Sequence, residues 1–230
     1  MLLQKQIRTV AKGLRPILSE FLFVGGAVIE CYVTAQGAEA ARQTDDIDVV
    51  VELAHYGSYA ALQEKLIAVG FNPDIASKVI CRYRYRGIIV DIMPDKPGIL
   101  GFSNKWYNDG IKLAETFDID DVTIKILPAP LYLASKVEAY RNRGAADKRL
   151  SSDFEDIVYV LENRPEVIDE ITASEYEVKQ YLAQFMTSLL QEPDLNEGVR
   201  AVLGYSPLPG RVEHVMSIIK TIGEICKIDK

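Results

Sequence analysis

This chain of 230 residues has few cysteines, few histidines and no excess of positive charge, and each shortage narrows the range of functions. Its three cysteines (Cys31, Cys81 and Cys226) are an odd number, each set among apolar neighbours, with no metal-ligand spacing. That argues against a disulfide framework or a thiolate metal site and for buried thiols in a reducing compartment such as the cytoplasm. His55 and His214 have no partners at catalytic spacing. Lysine and arginine number 26 against 33 acids, a net charge of -7, so the chain as a whole is not a polycation that wraps nucleic acid; a nucleic-acid partner would have to meet a local basic patch. No apolar run approaches the roughly 18 residues that a membrane helix needs. Internal repeats and low-complexity segments are also missing. What remains, with 48% hydrophobic and 26% charged residues, is the composition of an ordinary globular protein, long enough for one large domain or two small ones.

Residues 1–18 carry Lys5, Arg8, Lys12 and Arg15 with no acid, while Leu3, Ile7, Val10, Leu14, Ile17 and Leu18 fall at helical spacing. The pattern predicts an amphipathic helix laid on the domain, with an organelle presequence or a basic helix on nucleic acid or a membrane surface as the competing accounts. Short runs rich in β-branched residues then predict strands at 21–25, 46–53, 78–85, 88–93 and 121–127. Helices are expected at 27–35 and 56–69. Arg86-Gly87 suits a tight turn that makes 78–93 a hairpin, and 94–106 reads as a surface loop. From Pro130 the period becomes helical, with helices from Leu131 through Arg141, at 151–163, at 174–191 and at 210–226. Strands first and helices afterwards predict an α+β fold, a mixed sheet with flanking helices followed by an α-helical C-terminal domain, divided as 1–128 and 129–230.

Three acids stand where acids are costly. Asp46 and Asp48 lie in the apolar run Asp46-Ile47-Asp48-Val49-Val50-Val51, and Asp91 lies in Gly87-Ile88-Ile89-Val90-Asp91-Ile92-Met93. Carboxylates are rarely buried without a partner. Residues two apart on a strand face the same way, so Asp46 and Asp48 share a face and repel each other unless a divalent ion sits between them. Upstream, the strand Phe21-Leu22-Phe23-Val24 ends in Gly25-Gly26 and runs toward a helix. Free backbone N–H groups at such a start suit a phosphate, and glycine removes the side chain that would block its approach. Magnesium takes a few carboxylates together with phosphate oxygens and water, and a third acid on a neighbouring strand allows two ions.

Gly-Gly, then Asp-x-Asp, then a third acid resembles the nucleotidyltransferase superfamily of the DNA polymerase beta type. Arg42-Gln43-Thr44-Asp45-Asp46-Ile47-Asp48 is similar to the Arg-x-Thr-x-Asp-hydrophobic-Asp of the AbiEii/AbiGii abortive-infection toxin family and the related MenT-type toxins, and Lys136 through Arg143, Lys148 and Asp153-Phe154-Glu155-Asp156 match the family's downstream helical Lys, Arg and Asp. The resemblance covers roughly residues 20 to 160. It implies a nucleotidyltransferase-type fold and transfer of a nucleoside monophosphate from an NTP to an acceptor hydroxyl. By the same resemblance Asp46, Asp48 and Asp91 bind Mg²⁺, in two ions, with Asp91 helping to deprotonate the acceptor. Gly25, Gly26 and Thr44 seat the nucleotide. Lys136 reaches phosphate as a point charge, and Asp153 supports the nucleotide or Lys136. The implied partners are an NTP, a tRNA or other nucleic acid as acceptor, and a cognate antitoxin, with no membrane.

Blander readings stand beside these. Asp45 is a solvated neighbour facing away from Asp46 and Asp48. Thr44 caps its loop or touches phosphate. Arg82, Arg84 and Arg86 alternate with Tyr83 and Tyr85 as a wet and a packed strand face, or form a basic stripe for nucleic acid. Arg141, Arg143, Lys148 and Arg149 are a solvated face unless RNA lies on them. Trp106 and Tyr107 pack the loop or offer rings on which a nucleobase stacks. The rival functions are a nucleotide-binding domain without transfer chemistry, a metal-dependent glycosyltransferase, and a small-molecule nucleotidyltransferase of the aminoglycoside type.

Overall fold

The computed structural model describes residues 2–101, 103–143, 147–204 and 207–228. The chain forms two compact units: residues 1–31 with 42–128, and residues 32–41 with 129–230.

The first unit is built on a seven-stranded mixed sheet. Its strands are β1 (Phe21–Val24), β2 (Asp46–Val51), β3 (Asn72–Pro73), β4 (Arg82–Tyr85), β5 (Ile88–Pro94), β6 (Glu115–Ile119) and β7 (Val122–Ile126), in the order β3-β4-β5-β2-β1-β7-β6. The central strands are apolar and buried because both of their faces are covered: Phe21, Leu22, Phe23 and Val24 in β1 and Val49, Val50 and Val51 in β2 are all at most 2% exposed. β1 pairs antiparallel with β2 and parallel with β7, and β2 pairs parallel with β5. The expected hairpin is present. Arg86 and Gly87 both have positive φ (49° and 82°), the type I′ combination that matches the twist of the two strands, and it pairs Tyr85 with Ile88 and Arg82 with Asp91.

Helices α1 (Leu2–Gly13), α2 (Tyr56–Ala68), α3 (Pro97–Leu100) and α4 (Tyr107–Lys112) complete the unit. α1 packs on β5 and β7 with Leu3, Ile7 and Val10 buried, so it serves as a scaffold helix. Its basic face is held by ion pairs, Arg8 Nε donating to Asp121 Oδ1 at 2.6 Å and Lys12 Nζ lying 2.7 Å from Asp121 Oδ2.

Three expectations are corrected. The segment after Gly25 is a short 3₁₀ helix, Gly26–Tyr32, not an α-helix reaching residue 35. β4 begins at Arg82 and not at residue 78, since Val79 and Ile80 are exposed and belong to the preceding loop. β6 and β3 are additional edge strands, and the loop at 94–106 contains α3. In that loop buried Asp95 accepts hydrogen bonds from the Leu53 N–H and Asn108 Nδ2, both at 3.0 Å, which tie β2's end to α4. Trp106 is 2% exposed and packs the loop, as expected.

The second unit is helical: α5 (Ala129–Asn142), α6 (Ser152–Asn163), α7 (Val167–Ala173), α8 (Tyr176–Leu189), α9 (Leu195–Val202) and α10 (Arg211–Ile228). α6 starts where the Ser151 side chain accepts from the Phe154 N–H, an N-cap that contributes about 1 kcal/mol. Tyr132, Val137, Phe154, Val158, Leu182 and Met186 are among its fully buried side chains. Each such side chain contributes about 2 kcal/mol by leaving water. Residues 32–41 lie along this unit. The Thr34 and Ala35 N–H groups donate to the Asn163 carbonyl, Arg164 Nη1 donates to the Tyr32 carbonyl, and the Tyr32 ring stacks on Tyr132 with centroids 4.2 Å apart. Among the described residues no helix is long and apolar enough to cross a membrane.

Candidate functional site

β2 and β5 are parallel neighbours in which Asp48 lies directly opposite Asp91 and Asp46 opposite Ile89. Partners in a parallel register project to the same side of the sheet, as do residues two apart on one strand. Asp46, Asp48 and Asp91 therefore share one face of the sheet, the grouping expected from the sequence. Asp91 is buried, while Asp46 and Asp48 are half-buried.

Gly25 stands at the end of β1, beside this face. Its φ of 73° lies in the left-handed region, where a side chain is strained, and a Cβ there would fall 2.0 Å from Oδ2 of Asp48. Glycine is required on both counts: the Asp48 carboxylate rests directly against the backbone of the turn. Gly26 opens the 3₁₀ segment. Thr44 donates its hydroxyl to Asp46 Oδ1 at 2.9 Å, which places it as a holder of that carboxylate.

The residue that sequence reasoning missed is Arg82. Its Nε donates to Asp91 Oδ1 at 2.8 Å and its Nη2 to Asp91 Oδ2 at 2.7 Å, a two-pronged pair, and the same Nη2 lies 3.2 Å from Asp46 Oδ2. One guanidinium thus bridges two of the three acids. The hydrogen bonds to Asp91 raise its pKa further above an already high value, so it is cationic at every accessible pH. Cys81, next in the chain, is buried, and burial pushes its thiol up to about 12, with the Asp91 carboxylate adding to the effect. At neutral pH it is an uncharged, unreactive thiol.

The rest of the basic stripe, on β4 and the turn after it, is divided between local partners. Arg84 Nε donates to Asp74 Oδ2 at 2.8 Å, and the Arg86 guanidinium lies over the Tyr85 ring at 5.4 Å. A surface cavity of about 250 Å³ in the same unit is lined by Ser19, Glu20, Leu22, Glu52, Ile111 and Lys125, and contains none of the three acids.

Lys136 and Asp153 belong to the helical unit. Lys136, on α5, is 6% exposed, and its ammonium lies 2.6 Å from Asp156 Oδ2 and 3.5 Å from Asp153 Oδ1 on α6. Asp156, which sequence reasoning set aside in favour of Asp153, is the nearer partner and is fully buried. The basic cluster at 141–149 is engaged as well. Arg141 lies over the Tyr181 ring at 4.8 Å, Arg143 reaches Asp153 at 3.5 Å, buried Lys148 pairs with Asp194 at 2.8 Å and with Glu192, and Arg149 pairs with Asp147 at 2.8 Å.

Among the described residues no group of three or more His, Cys, Asp or Glu side chains is drawn together as a ready-made metal cage. No model of a known protein family matches the chain, and comparison with curated proteins finds no relative.

Proposed function

We propose that the sheet unit is a metal-dependent nucleotidyltransferase that moves a nucleoside monophosphate from an NTP to an acceptor hydroxyl and releases pyrophosphate. The observation that carries this reading is the placement of Asp46, Asp48 and Asp91 on one sheet face, with the Gly25 turn pressed against Asp48. The donor set suits a hard divalent cation. Magnesium binds through one or two carboxylates and completes its shell with water and substrate phosphates, so a three-carboxylate cage is not required. The position between Asp46 and Asp91 already accommodates positive charge in the form of the Arg82 guanidinium.

Bound magnesium would neutralise the triphosphate and lower the pKa of the attacking hydroxyl. The chain's own residues do the rest. Asp46, fixed by Thr44, Asp48 and Asp91 would hold the ions, Gly25 and Gly26 would admit the triphosphate to the backbone, and Asp91 would also help to take the acceptor's proton. The resemblance to abortive-infection toxins makes a tRNA or other RNA the acceptor to try first and a cognate antitoxin the partner.

The test mixes the purified chain with Mg²⁺, each α-labelled NTP in turn, and total RNA. Label transfer that disappears in Asp46→Asn and Asp48→Asn is the expected result; the absence of any label dependent on these two residues overturns the enzymatic reading. One observation favours a second reading, a nucleotide-binding domain without transfer chemistry: both oxygens of Asp91 are occupied by Arg82. That reading expects calorimetric NTP binding that Asp46→Asn abolishes, with no turnover on any acceptor.

A further inference from the structure

Resting on the metal reading above, we propose that Arg82 is a built-in cation that neutralises Asp46 and Asp91 in the metal-free protein and is exchanged for the divalent ion when the site loads. The guanidinium takes both oxygens of Asp91 and one of Asp46, while Thr44 takes the other Asp46 oxygen. Every carboxylate oxygen of these two acids thus has a donor before any ion arrives. A divalent ion on the same oxygens must displace at least the Nη2 contact, because like charges cannot share the position.

Three observations make the exchange feasible without rebuilding the sheet. The Arg82 side chain is 22% exposed and Asp46 30% exposed, so the pair opens to solvent on one side. The β4 backbone is anchored independently of Arg82: Tyr83 is 1% exposed, and the Tyr85 ring stacks on Phe71 at 4.2 Å with 8° between the planes. β4 itself remains bonded to β5 through Tyr83↔Val90 and Arg84↔Ile89, so the side chain can leave while the strand stays. The exchange is a displacement of one ion pair by another, with no bond made or broken and no proton required.

Two consequences follow. The metal-free chain folds without electrostatic strain at its acid cluster, because leaving a buried carboxylate unpaired is strongly destabilising. The site also takes its metal less tightly than the same carboxylates would if Arg82 were absent, which favours occupation when a nucleotide arrives with its own phosphate ligands.

The test measures Mn²⁺ binding by the electron paramagnetic resonance of the free ion, in wild type, Arg82→Ala, Arg82→Lys and Asp46→Asn. The expected result is that Arg82→Ala binds Mn²⁺ about tenfold more tightly, worth about 1.4 kcal/mol. Its metal-free Tm should be lower than wild type's, and Mn²⁺ should raise that Tm by more than it raises wild type's, with Arg82→Lys between the two. A folded Arg82→Ala protein whose Mn²⁺ affinity equals or falls below wild type's overturns the exchange and leaves the metal reading standing. Loss of all Asp46-dependent binding in every variant overturns both. Should Arg82→Ala not fold, nitrogen-15 NMR of the Arg82 Nε–H in wild type decides. Its resonance is expected to shift and to exchange faster with solvent when Mg²⁺ and an NTP are added. An unchanged Arg82 signal while the β2 and β5 amides respond to Mg²⁺ overturns the exchange.

Discussion

Two clusters of opposite charges lie in the two units, and they differ in how far water reaches them. In the helical unit the side chains of Lys136, Asp153 and Asp156 are 7%, 4% and 0% exposed, so the ammonium and its two carboxylates are sealed between α5 and α6. In the sheet unit Arg82 and Asp46 are 22% and 30% exposed, and only Asp91 is deep. A sealed pair resists rearrangement, because each partner left alone would be an uncompensated charge in a poor dielectric. A pair with one side in water can open and trade partners at lower cost. The sealed cluster therefore fastens two helices, whereas the open one is suited to a passing cation.

Substitutions can break or sharpen that contrast. The largest effects should be reciprocal. If the proposed transfer activity is present, Asp48→Asn is expected to lower it about a thousandfold, the scale on which groups aimed at developing charge act, while its urea midpoint stays close to wild type. Lys136→Ala, which removes the buried ammonium beside Asp156 and Asp153, is expected to lower unfolding stability by about 3 kcal/mol. Urea unfolding of both proteins beside the transfer assay checks the pair, and a stable Lys136→Ala protein would remove the distinction between the clusters. Gly25→Ala comes next. The left-handed backbone alone costs about 1–2 kcal/mol, and the Cβ must push the Asp48 carboxylate away, so Tm and transfer should fall together.

The smallest effect belongs to the exposed anchor of α1. Lys12 and then Arg8 hold the Asp121 carboxyl down at about 2 from its ordinary 3.8. A depressed carboxyl adds stability above its unfolded value and loses it as pH falls through the folded one. The Tm advantage of wild type over Asp121→Asn should be full near neutral pH, fade between about 3.8 and about 2, and shrink in high salt at any pH.

Much of the acid cluster was legible in the sequence because alternation and β-branched runs carry position directly. Asp46 and Asp48 had to share a face, and the valines after them had to be interior. The grouping with Asp91 needed β2 and β5 to be neighbours and in the register that sets Asp48 opposite Asp91. Arg82 was missed although its signal was available: a two-residue turn at Arg86-Gly87 fixes the hairpin register, and counting back from it sets Arg82 opposite Asp91. A reading of the stripe as one surface hid that pairing. β6 escaped because three of its five residues, Glu115, Thr116 and Asp118, are polar and exposed on an edge strand, where no apolar run marks it. α7 and α9 are short, seven and eight residues, with little room for a helical period to declare itself. The choice between Asp153 and Asp156 turns on which rotation of α6 faces α5, a property of packing that local pattern does not encode.

Residues 32–41 have a bearing on how this chain can be dissected. Arg164 and Tyr32 are joined across 132 positions of sequence, so the helical half borrows a strap made from an early piece of the polypeptide. A single scissor cut after Pro128 would release a C-terminal fragment missing the ring that stacks on Tyr132 and the backbone groups that meet Asn163. Such a fragment should be less stable than the same residues within the intact chain, and adding the missing decapeptide in trans, or grafting it onto the fragment's free end, should restore what the cut removed.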